Sequence, residues 1–528
     1  MSWRRVWMYM RRDHLLASAV GVLSAAVILA MTPATQAVEP ADGVALGVTQ
    51  VRLDWTDVLD SGTHDVQVGL VSGGDDPFQD PIIDVRLDGG SLIVDQGIEF
   101  GANYRWRVRP VEDGVPQEWS VLSSFSTVSI PLGYPLEVQT QFGQTPPQPG
   151  VTVFNHCNSV VGFDLEGNQV LYVETQARVG DVKIIPGGRL LHVGSSRAWI
   201  LDFSGELLWA SPDSNDLRVH HCASIMPNGN VMLLTRDYRD ITQDGVTREW
   251  QGDRIVEMDI TTNEIVWEWS TFDYYTTDDY DVFQNNHWND WTHVNDAHYE
   301  PADNSVYISC RHLSRITRID YDTKEIVYNL GMDMPSGDVP VGNDLFSYQH
   351  SPQLLPNGNL VLFDNGNRRG GQPAGSNGQT FAIEIELSGS PLEDAEIVWS
   401  WQTPVYCPST GDADRLENGN TLVTSTQLSA VYEVDQAGDM AWQLDMLSVE
   451  TCPGLRPGYR STRVPNLYLE DTESPCQGDL DGDGQVAVDD ILSLLAQWGG
   501  PGSADLDGDG QVEVDDVLLM LQRWGPCI

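Results

Sequence analysis

Apolar and polar residues alternate in short runs through residues 45–130, and turn-forming residues separate these runs. Five runs have this form, VRLDW, HDVQVGLV, SLIVD, YRWRVRPV and SVLSSFSTV. A period of two is typical of strands with one buried face, and the Gly, Asp and Pro residues between the runs favour tight turns. About ninety residues with this pattern predict a β-sandwich.

A different pattern repeats through residues 134–468. Each unit begins with a hairpin around a turn and continues with a strand, a turn and a strand that ends in an aromatic residue. Five units are complete, with first turns at PGGRLL, PNGNVML, PADNSVYI, PNGNLVL and ENGNTLV. A lone second half at 160–174 precedes them, and strands near Tyr459 to Leu469 would complete it. Five units and a split sixth predict a six-bladed β-propeller closed by its two ends.

Residues 476–528 contain two copies of one acidic loop, 26 residues apart. Carboxylates at positions 1, 3, 5 and 12, with glycine at position 6, have the spacing that wraps a calcium ion. Apolar residues at helical spacing follow each loop, so the pattern predicts a small α-helical module of paired calcium loops rather than two solvated acidic turns. The predicted ligands are Asp479, Asp481, Asp483, Asp490, Asp505, Asp507, Asp509 and Asp516, with backbone carbonyls from Gln485 and Gln511.

Charge and the N-terminal segment limit the partners and the location. With 77 acidic and 29 basic residues, the chain has a formal charge of −48, which makes nucleic acid and anionic membrane surfaces poor partners. Residues 1–37 combine arginines, an apolar run from Leu15 to Met31 and a small-residue cleavage site, which predicts an export signal. A retained membrane anchor is the alternative. The Arg11–Arg12 pair could belong to a twin-arginine signal, so the choice between the general secretory route and the twin-arginine route stays open. We expect a periplasmic or extracellular, cell-surface protein.

Seven cysteines in an exported chain permit a few disulfides. Cys476 and Cys527 bracket the C-terminal module and are the first predicted pair, and Cys407 with Cys452 is the second. Cys222 is interpreted as a small buried hydrophobic residue rather than a reactive thiol.

The register of the repeat brings five side chains with useful chemistry to one place. The residue six before each first turn is Gly180, His221, Asn295, His350 and Gly411 in successive units. Strand periodicity places His293 on the same face as Asn295, and hairpin symmetry places Arg311 opposite Asn295. Since the first strand of each blade lines the channel of a propeller, we expect a candidate site of His221, His293, Asn295, Arg311 and His350 at one mouth.

The mixture of side chains favours an oxyanion at this mouth. Three histidines by themselves would suit a transition metal. A guanidinium, however, repels a metal cation and forks onto the oxygens of a tetrahedral oxyanion, and a neutral imidazole can act as a nucleophile or an acid. We therefore predict no metal at this site.

Residues 134–468 resemble the bacterial arylsulfate sulfotransferases, most specifically in DWTHVND…SVYISCRHLSRITRID and FSYQHSPQLLPNGNLVLFDNG. The resemblance implies sulfuryl transfer from an aryl sulfate to a phenol through a sulfohistidine, without a nucleotide sulfate donor. It implies His350 as the nucleophile, His221 and His293 as general acid/base and oxyanion donors, and Asn295 and Arg311 as ligands of the sulfuryl oxygens.

The flanking regions resemble other modules. Residues 45–130 resemble a fibronectin type III domain, and residues 476–528 resemble a type I dockerin, which implies a cohesin or another cell-surface partner. The expected protein is thus a mainly β, exported sulfotransferase with a phenolic donor and acceptor. The alternative is a non-catalytic propeller that binds sulfated or acidic glycans. The identities of the donor and acceptor and the oligomeric state stay open.

Overall fold

The computed structural model describes residues 39–55, 62–72, 76–119, 121–131, 134, 136–175, 178–368, 378–447 and 458–469. Towards the C-terminus it also describes 478, 480, 485–500, 504, 506, 512–522 and 525–526. The predicted export signal lies outside these residues. No helix among the described residues has the length and apolar character needed to cross a membrane.

Two small sheets form the N-terminal region. Its strands are β1 (Val44–Leu46), β2 (Val51–Asp54), β3 (Thr63–Leu70), β4 (Ile83–Asp88), β5 (Ser91–Val94), β6 (Asn103–Glu112), β7 (Val115–Pro116) and β8 (Val121–Thr127). One sheet has the order β1-β8-β6-β3-β4 with β7 paired to β6, and β2 and β5 form the other. Trp55, Tyr104 and Trp106 are buried in the core of this region. The fibronectin type III assignment of residues 45–130 stays a prediction.

Six antiparallel sheets follow, and the first strand of each predicted hairpin begins a sheet. Strand β9 (Val138–Phe142) precedes the first sheet, which contains β10 (Val151–His156), β11 (Ser159–Phe163) and β12 (Gln169–Glu174). The second contains β13 (Val182–Ile185), β14 (Arg189–Gly194), β15 (Arg197–Asp202) and β16 (Leu207–Ala210). The third contains β17 (Val219–Ile225), β18 (Val231–Gln243), β19 (Val246–Met258) and β20 (Ile265–Ser270).

The remaining three sheets have the same hairpin order. The fourth contains β21 (Val294–Glu300), β22 (Ser305–Cys310), β23 (Arg315–Asp320) and β24 (Ile326–Gly331). The fifth contains β25 (His350–Leu354), β26 (Leu360–Asp364), β27 (Phe381–Ser388) and β28 (Asp394–Gln402). The sixth contains β29 (Asp412–Arg415), β30 (Thr421–Ser425), β31 (Ala430–Val434) and β32 (Met440–Met446). The one-turn helix α1 (Thr271–Tyr274) and the 3-10 turns His287–Asp290 and Pro301–Asp303 lie between strands.

Both ends of this region join the set of sheets. Strand β33 (Ser461–Val464) pairs with β10, so the first sheet takes one edge strand from the far end of the chain, as predicted for residues near Tyr459. Strand β9 pairs with β32 and adds a fifth strand to the outer edge of the sixth sheet. Each sheet contacts the next one along the chain, beginning with the contact between β10 and β13. Strand β30 of the sixth sheet contacts β33 of the first. The mainly β architecture is confirmed.

The C-terminal region is small and helical. Its described elements are β34 (Gln485–Val486), α2 (Val488–Ala496), α3 (Val514–Gln522) and β35 (Gly525–Pro526). The two strands pair with each other, and Leu494 and Met520 are buried in a separate apolar core.

Among the cysteines, one predicted pair is wrong. Cys407 is a buried thiol whose sulfur lies 3.4 Å from Ser425 Oγ, because its side chain packs into the core between the fifth and sixth sheets. Cys157 is disulfide-bonded, and its partner lies outside the described residues. The predicted pair of Cys476 and Cys527 also lies outside the described residues, so it stays a prediction. Cys222 is buried, and burial raises the pKa of its thiol to about 12, which fits its interpretation as an inert core residue.

Gly411 is the residue six before the first turn of the last repeat unit, and it allows a test of packing at that position. Its φ is +107°, and a Cβ there would come within 2.2 Å of the buried Phe363 ring. Gly411→Ala is expected to destabilise the protein by ~3 kcal/mol, through backbone strain and overpacking, and to lower Tm in a calorimetric scan.

The matched control is Gly358→Ala in the neighbouring turn. Gly358 also has a positive φ, +87°, but its Cβ would meet no atom within 4 Å. This variant should lose only ~1 kcal/mol from backbone strain. Equal losses of stability in the two variants would contradict the packing argument.

Candidate functional site

Three histidines from three successive sheets lie close together at the starts of the first strands. His221 is in β17, His293 directly precedes β21, and His350 begins β25. The ring centroids of His221 and His293 are 4.8 Å apart. Tyr459, which precedes β33, lies 6.3 Å from the His221 ring and 6.5 Å from the His350 ring. The closing segment of the chain therefore brings a phenol ring between two of the predicted site residues.

A β-bulge recurs at the same place in each of these three strands. The register shifts between Val219 and Ala223, between Val294 and Asp296, and between His350 and Gln353. The backbone has positive φ angles within two of these shifts, +57° at His221 and +50° at Ser351, and just before the third, +45° at His293. Bulges redirect side chains, and non-glycine residues with positive φ persist where the surrounding structure holds them.

The bulge in β21 corrects the predicted pairing of Asn295 with Arg311. Val294 pairs with Cys310, and the Arg311 N–H donates to the carbonyl of His293 at 3.1 Å. A bulge adds one residue to one strand, so residues that are equally far from the turn on the two strands no longer pair. Asn295 instead donates its amide to the carbonyl of Gln349 at 2.7 Å, so it holds the backbone next to His350.

The hydrogen bonds of His350 determine which ring nitrogen has a lone pair. Asn365 donates its amide N–H groups to the carbonyls of Cys407, at 2.7 Å, and Thr410, at 2.9 Å. Its Oδ1 therefore faces His350 and accepts from Nδ1 at 2.6 Å. The proton is assigned to Nδ1, which leaves the lone pair on Nε2. Burial, and then the charge of Arg311, lower the pKa of His350 far below its ordinary value, so the ring is neutral.

Carboxylates lie beside the other two histidines, and one of them is hydrogen-bonded to His293. Asp290 Oδ2 accepts from His293 Nδ1 at 2.5 Å. Burial raises the pKa of Asp290, but this hydrogen bond and the electrostatic effect of the neighbouring imidazoles outweigh burial and lower the pKa to about 2.

The second carboxylate, that of Asp253, lies near His220, which in turn contacts His221. Asp253 Oδ1 lies 3.1 Å from Nε2 of His220, and Nδ1 of His220 lies 2.6 Å from Nδ1 of His221. Burial, and then the neighbouring histidines, keep the pKa of His221 well below its ordinary value. The sequence analysis missed Asn365, Asp290, His220 and Asp253. His220 directly precedes His221, and Asn365 lies in the FDNG that ends one of the quoted motifs.

Two of the three guanidinium groups near this mouth are neutralised. Arg460 donates to Asp296 Oδ1 at 2.8 Å and to the carbonyl of Asn295 at 2.7 Å. Arg368 pairs with Asp281 at 2.6 Å. Arg311 lies over the Tyr348 ring, at 4.3 Å from its centroid, donates to the Pro408 carbonyl at 3.0 Å, and forms no ion pair with a carboxylate among the described residues. Its charge is available for an anionic ligand.

A metal at the same mouth would need a different arrangement of hydrogen bonds. Asp290, His293 and His312 have ligand atoms within 4.8 Å of one another. In the structure, however, Asp290 Oδ2 accepts from His293 Nδ1, and His312 Nδ1 donates to the Asp290 carbonyl at 2.6 Å. The carboxylate is thus arranged as an orienting group for a histidine.

The described part of the predicted calcium loops repeats one geometry. In both loops the carboxylate at position 12 accepts from the backbone N–H groups at positions 2 and 9. The bonds run from Leu480 at 2.6 Å and Ala487 at 2.8 Å to Asp490, and from Leu506 at 2.6 Å and Glu513 at 2.7 Å to Asp516. The other predicted ligands, apart from the backbone of Gln485, lie outside the described residues.

Comparison with known proteins gives one family. The model of the Arylsulfotransferase (ASST) family matches residues 139–443, more than half of the chain. No curated protein sequence matches the chain.

Solved structures show only distant likeness. A protein of unknown function from Bacteroides caccae is 12% identical, with a TM-score of 0.36, covering 58% of this chain and 98% of that chain. Streptogramin B lyase is 12% identical, with a TM-score of 0.31, covering 59% and 98%. Hydrazine synthase of Kuenenia stuttgartiensis is 12% identical, with a TM-score of 0.33, covering 56% and 80%. At these TM-scores the likeness supports no argument about function.

Asp412 at the start of β29 allows a test of the electrostatics beside this site. Burial raises its pKa to about 6, although the charge of Arg460 and the nearby hydroxyl of Ser351 oppose this. The folded pKa is above the unfolded value of about 3.9, so stability is lost as pH rises from about 4 to about 6.

Asp412→Asn is therefore expected to be more stable than the wild type at pH 7 by up to about 3 kcal/mol, and equal to it at pH 4 and below. Urea denaturation at the two pH values measures this. A stability difference that is the same at pH 7 and pH 4 would contradict the assigned titration.

Proposed function

Because this chain belongs to the arylsulfotransferase family, we propose that it moves a sulfuryl group from an aryl sulfate ester to a phenol through a sulfohistidine on His350, without a nucleotide sulfate donor. The family match supports aryl sulfotransferase activity in general. The observation that supports the sulfohistidine is the state of His350, a neutral ring whose proton is held on Nδ1 by Asn365. We also propose that the six sheets are the blades of one propeller.

In the first half-reaction the lone pair of His350 Nε2 attacks sulfur, and the bond between sulfur and the aryl oxygen breaks. The departing phenolate takes a proton from His293, which Asp290 stabilises in its imidazolium form through the hydrogen bond at Nδ1. The products of this step are a free phenol and an N-sulfated His350.

In the second half-reaction the acceptor phenol gives its proton back to His293 and its oxygen attacks sulfur. The bond between sulfur and His350 Nε2 breaks, and the neutral imidazole returns. Both steps use one nucleophile and one acid/base group, so the kinetics should be ping-pong.

The charge that develops on the sulfuryl oxygens is stabilised by two donors. Sulfuryl transfer, like phosphoryl transfer, passes through a loose transition state with charge on the equatorial oxygens. Arg311 has no described carboxylate to neutralise it and supplies the guanidinium. A hydrogen bond from Nδ1 of His220 to Nδ1 of His221 would leave His221 with its proton on Nε2, where it serves as the second donor. Asn295 acts through the backbone beside His350.

The flanking regions extend the proposal. We propose that residues 1–37 direct export to the periplasm or the cell surface, that residues 45–130 form a spacer domain, and that the C-terminal loops bind two calcium ions. The repeated bonds to Asp490 and Asp516 support the last point, because two loops with one backbone geometry place their carboxylates alike.

Covalent labelling tests the central proposal. The wild type incubated with p-nitrophenyl sulfate should gain one SO3 group, about +80 Da, on the peptide that contains His350, and a phenol should discharge it. His350→Ala should lose both the adduct and turnover. Arg311→Ala should still form the adduct, but roughly a hundred- to a thousandfold more slowly, since only charge stabilisation is lost.

Intact-protein and peptide mass spectrometry after rapid quenching measure the adduct. An adduct that persists in His350→Ala and maps to His221 or His293 would show that the nucleophile is wrong. Hydrolysis that no phenol accelerates would indicate a sulfatase. No turnover and no adduct in the wild type would favour the alternative, a glycan-binding propeller.

Calcium titration of the full chain tests the C-terminal module. Isothermal calorimetry should show two ions bound per chain, and Asp490→Ala should remove one, because position 12 closes each loop. Asp338→Ala, which removes an exposed carboxylate outside the loops, should leave the count unchanged. A wild type that releases no heat with calcium would refute the module's assignment.

A further inference from the structure

A small cavity opens beside the three-histidine site, and none of the side chains assigned to sulfuryl transfer belongs to its described lining. Its volume is about 120 Å³. Three loops form it: residues 280–283 after helix α1, the turn after β22 that contains His312, and residues 332–335 after β24. Arg368, which follows β26, completes the described lining.

His312 forms a wall shared by the cavity and the site. Its ring centroid is 4.5 Å from that of His293 and 5.4 Å from that of Tyr348. Its Nδ1 donates to the carbonyl of Asp290, the residue whose carboxylate orients His293. The cavity therefore lies next to the group that would protonate a departing phenolate and deprotonate an incoming phenol.

Two charged side chains of the lining, Arg368 and Asp281, pair with each other. Arg368 forms two hydrogen bonds with Asp281 Oδ2, at 2.6 and 2.9 Å, and Tyr348 donates its hydroxyl to the same oxygen. Burial lowers the pKa of His312 to about 3, so its ring is neutral. The one remaining charge in the described lining is Asp333, which is exposed and would repel an anionic substituent.

The other surfaces of the cavity are apolar and suit a flat ring. Tyr280 and Phe283 supply aromatic faces, and Met332 and Met334 supply flexible thioethers that pack well against aromatic rings. An apolar protein cavity of roughly 150 Å³ holds one benzene molecule, so the volume here matches a single ring rather than a fused one.

We propose that this cavity binds the ring of an uncharged, single-ring phenol, as the leaving group of the donor and as the acceptor. This rests on the proposed function, which it deepens by naming the substrate class. A ring seated here would lie against His312, whose own ring is 4.5 Å from that of His293, so the proposal places the phenol oxygen at the side of the cavity that faces His293. Larger polycyclic phenols and phenols with a carboxylate are expected to be poor substrates.

The test fills the cavity. Met334→Trp should raise the KM of both p-nitrophenyl sulfate and phenol at least tenfold, with a smaller change in kcat, because the ring is excluded but the sulfuryl site is untouched. Asp338→Trp adds the same side chain to the same loop at an exposed position outside the lining, and both KM values should stay within twofold of the wild type.

Two further measurements separate this proposal from the reaction itself. Equilibrium dialysis of p-nitrophenol at pH 6, where most of it is uncharged, with His350→Ala, which cannot turn over, should show binding that Met334→Trp, combined with it, weakens at least tenfold. Met334→Ala enlarges the cavity and should raise the kcat/KM ratio of 1-naphthol to phenol at least threefold. This variant keeps the proposal testable if the tryptophan prevents folding.

The outcomes are distinguishable. A higher KM for the donor alone, or for the acceptor alone, assigns the cavity to that ring and supports an aryl site. Loss of p-nitrophenol binding in a protein that proves to have no transferase activity supports the cavity and refutes the reaction. Unchanged KM values, unchanged p-nitrophenol binding and an unchanged 1-naphthol preference would overturn the proposal.

Discussion

The contact between Arg460 and the segment Asn295–Asp296 connects the closure of the sheets to the assembly of the site. The guanidinium binds the Asp296 carboxylate and the Asn295 carbonyl, and these partners are 164 and 165 residues away along the chain. Arg460 directly precedes β33, the strand that completes the first sheet, and it follows Tyr459, whose ring lies near His221 and His350. Since breaking a buried ion pair leaves an uncompensated charge, an open set of sheets would lose stability and the mouth of the site together.

The same mouth depends on backbone conformations that a regular strand does not adopt. Three bulges with positive φ angles turn His221, His293 and the His350 segment out of the regular pleat. Such conformations are costly, and they persist here because hydrogen bonds hold the neighbouring groups. Asn295 fixes the Gln349 carbonyl, and Asn365 holds the His350 ring. The cost of bending the strands is thus offset by contacts between adjacent sheets.

The sequence predicted the parts of the molecule that follow a regular period. The turns located five hairpins, the split unit predicted the strand near Tyr459, and the repeat register selected His221 and His350. It did not predict features that depend on a departure from the period. The bulge in β21 replaced the predicted pairing of Arg311 with Asn295, and the orienting partners Asp290 and Asn365 lie in turns outside the alternating pattern. Cys407 was paired by spacing, although the packing of the sheets buries it as a thiol.

The split first sheet has a consequence for the order of events during synthesis. β10 is made early, but its partner β33 follows roughly three hundred residues later, which at typical elongation rates of about 5–20 residues per second takes many seconds. Once His350 has been translated, His221, His293 and His350 are all present in the nascent chain, but Tyr459 and Arg460 have not yet been made. A nascent or truncated chain therefore contains every histidine of the site without the segment that encloses them. Chemical competence should appear in a single late step, when the last strand docks.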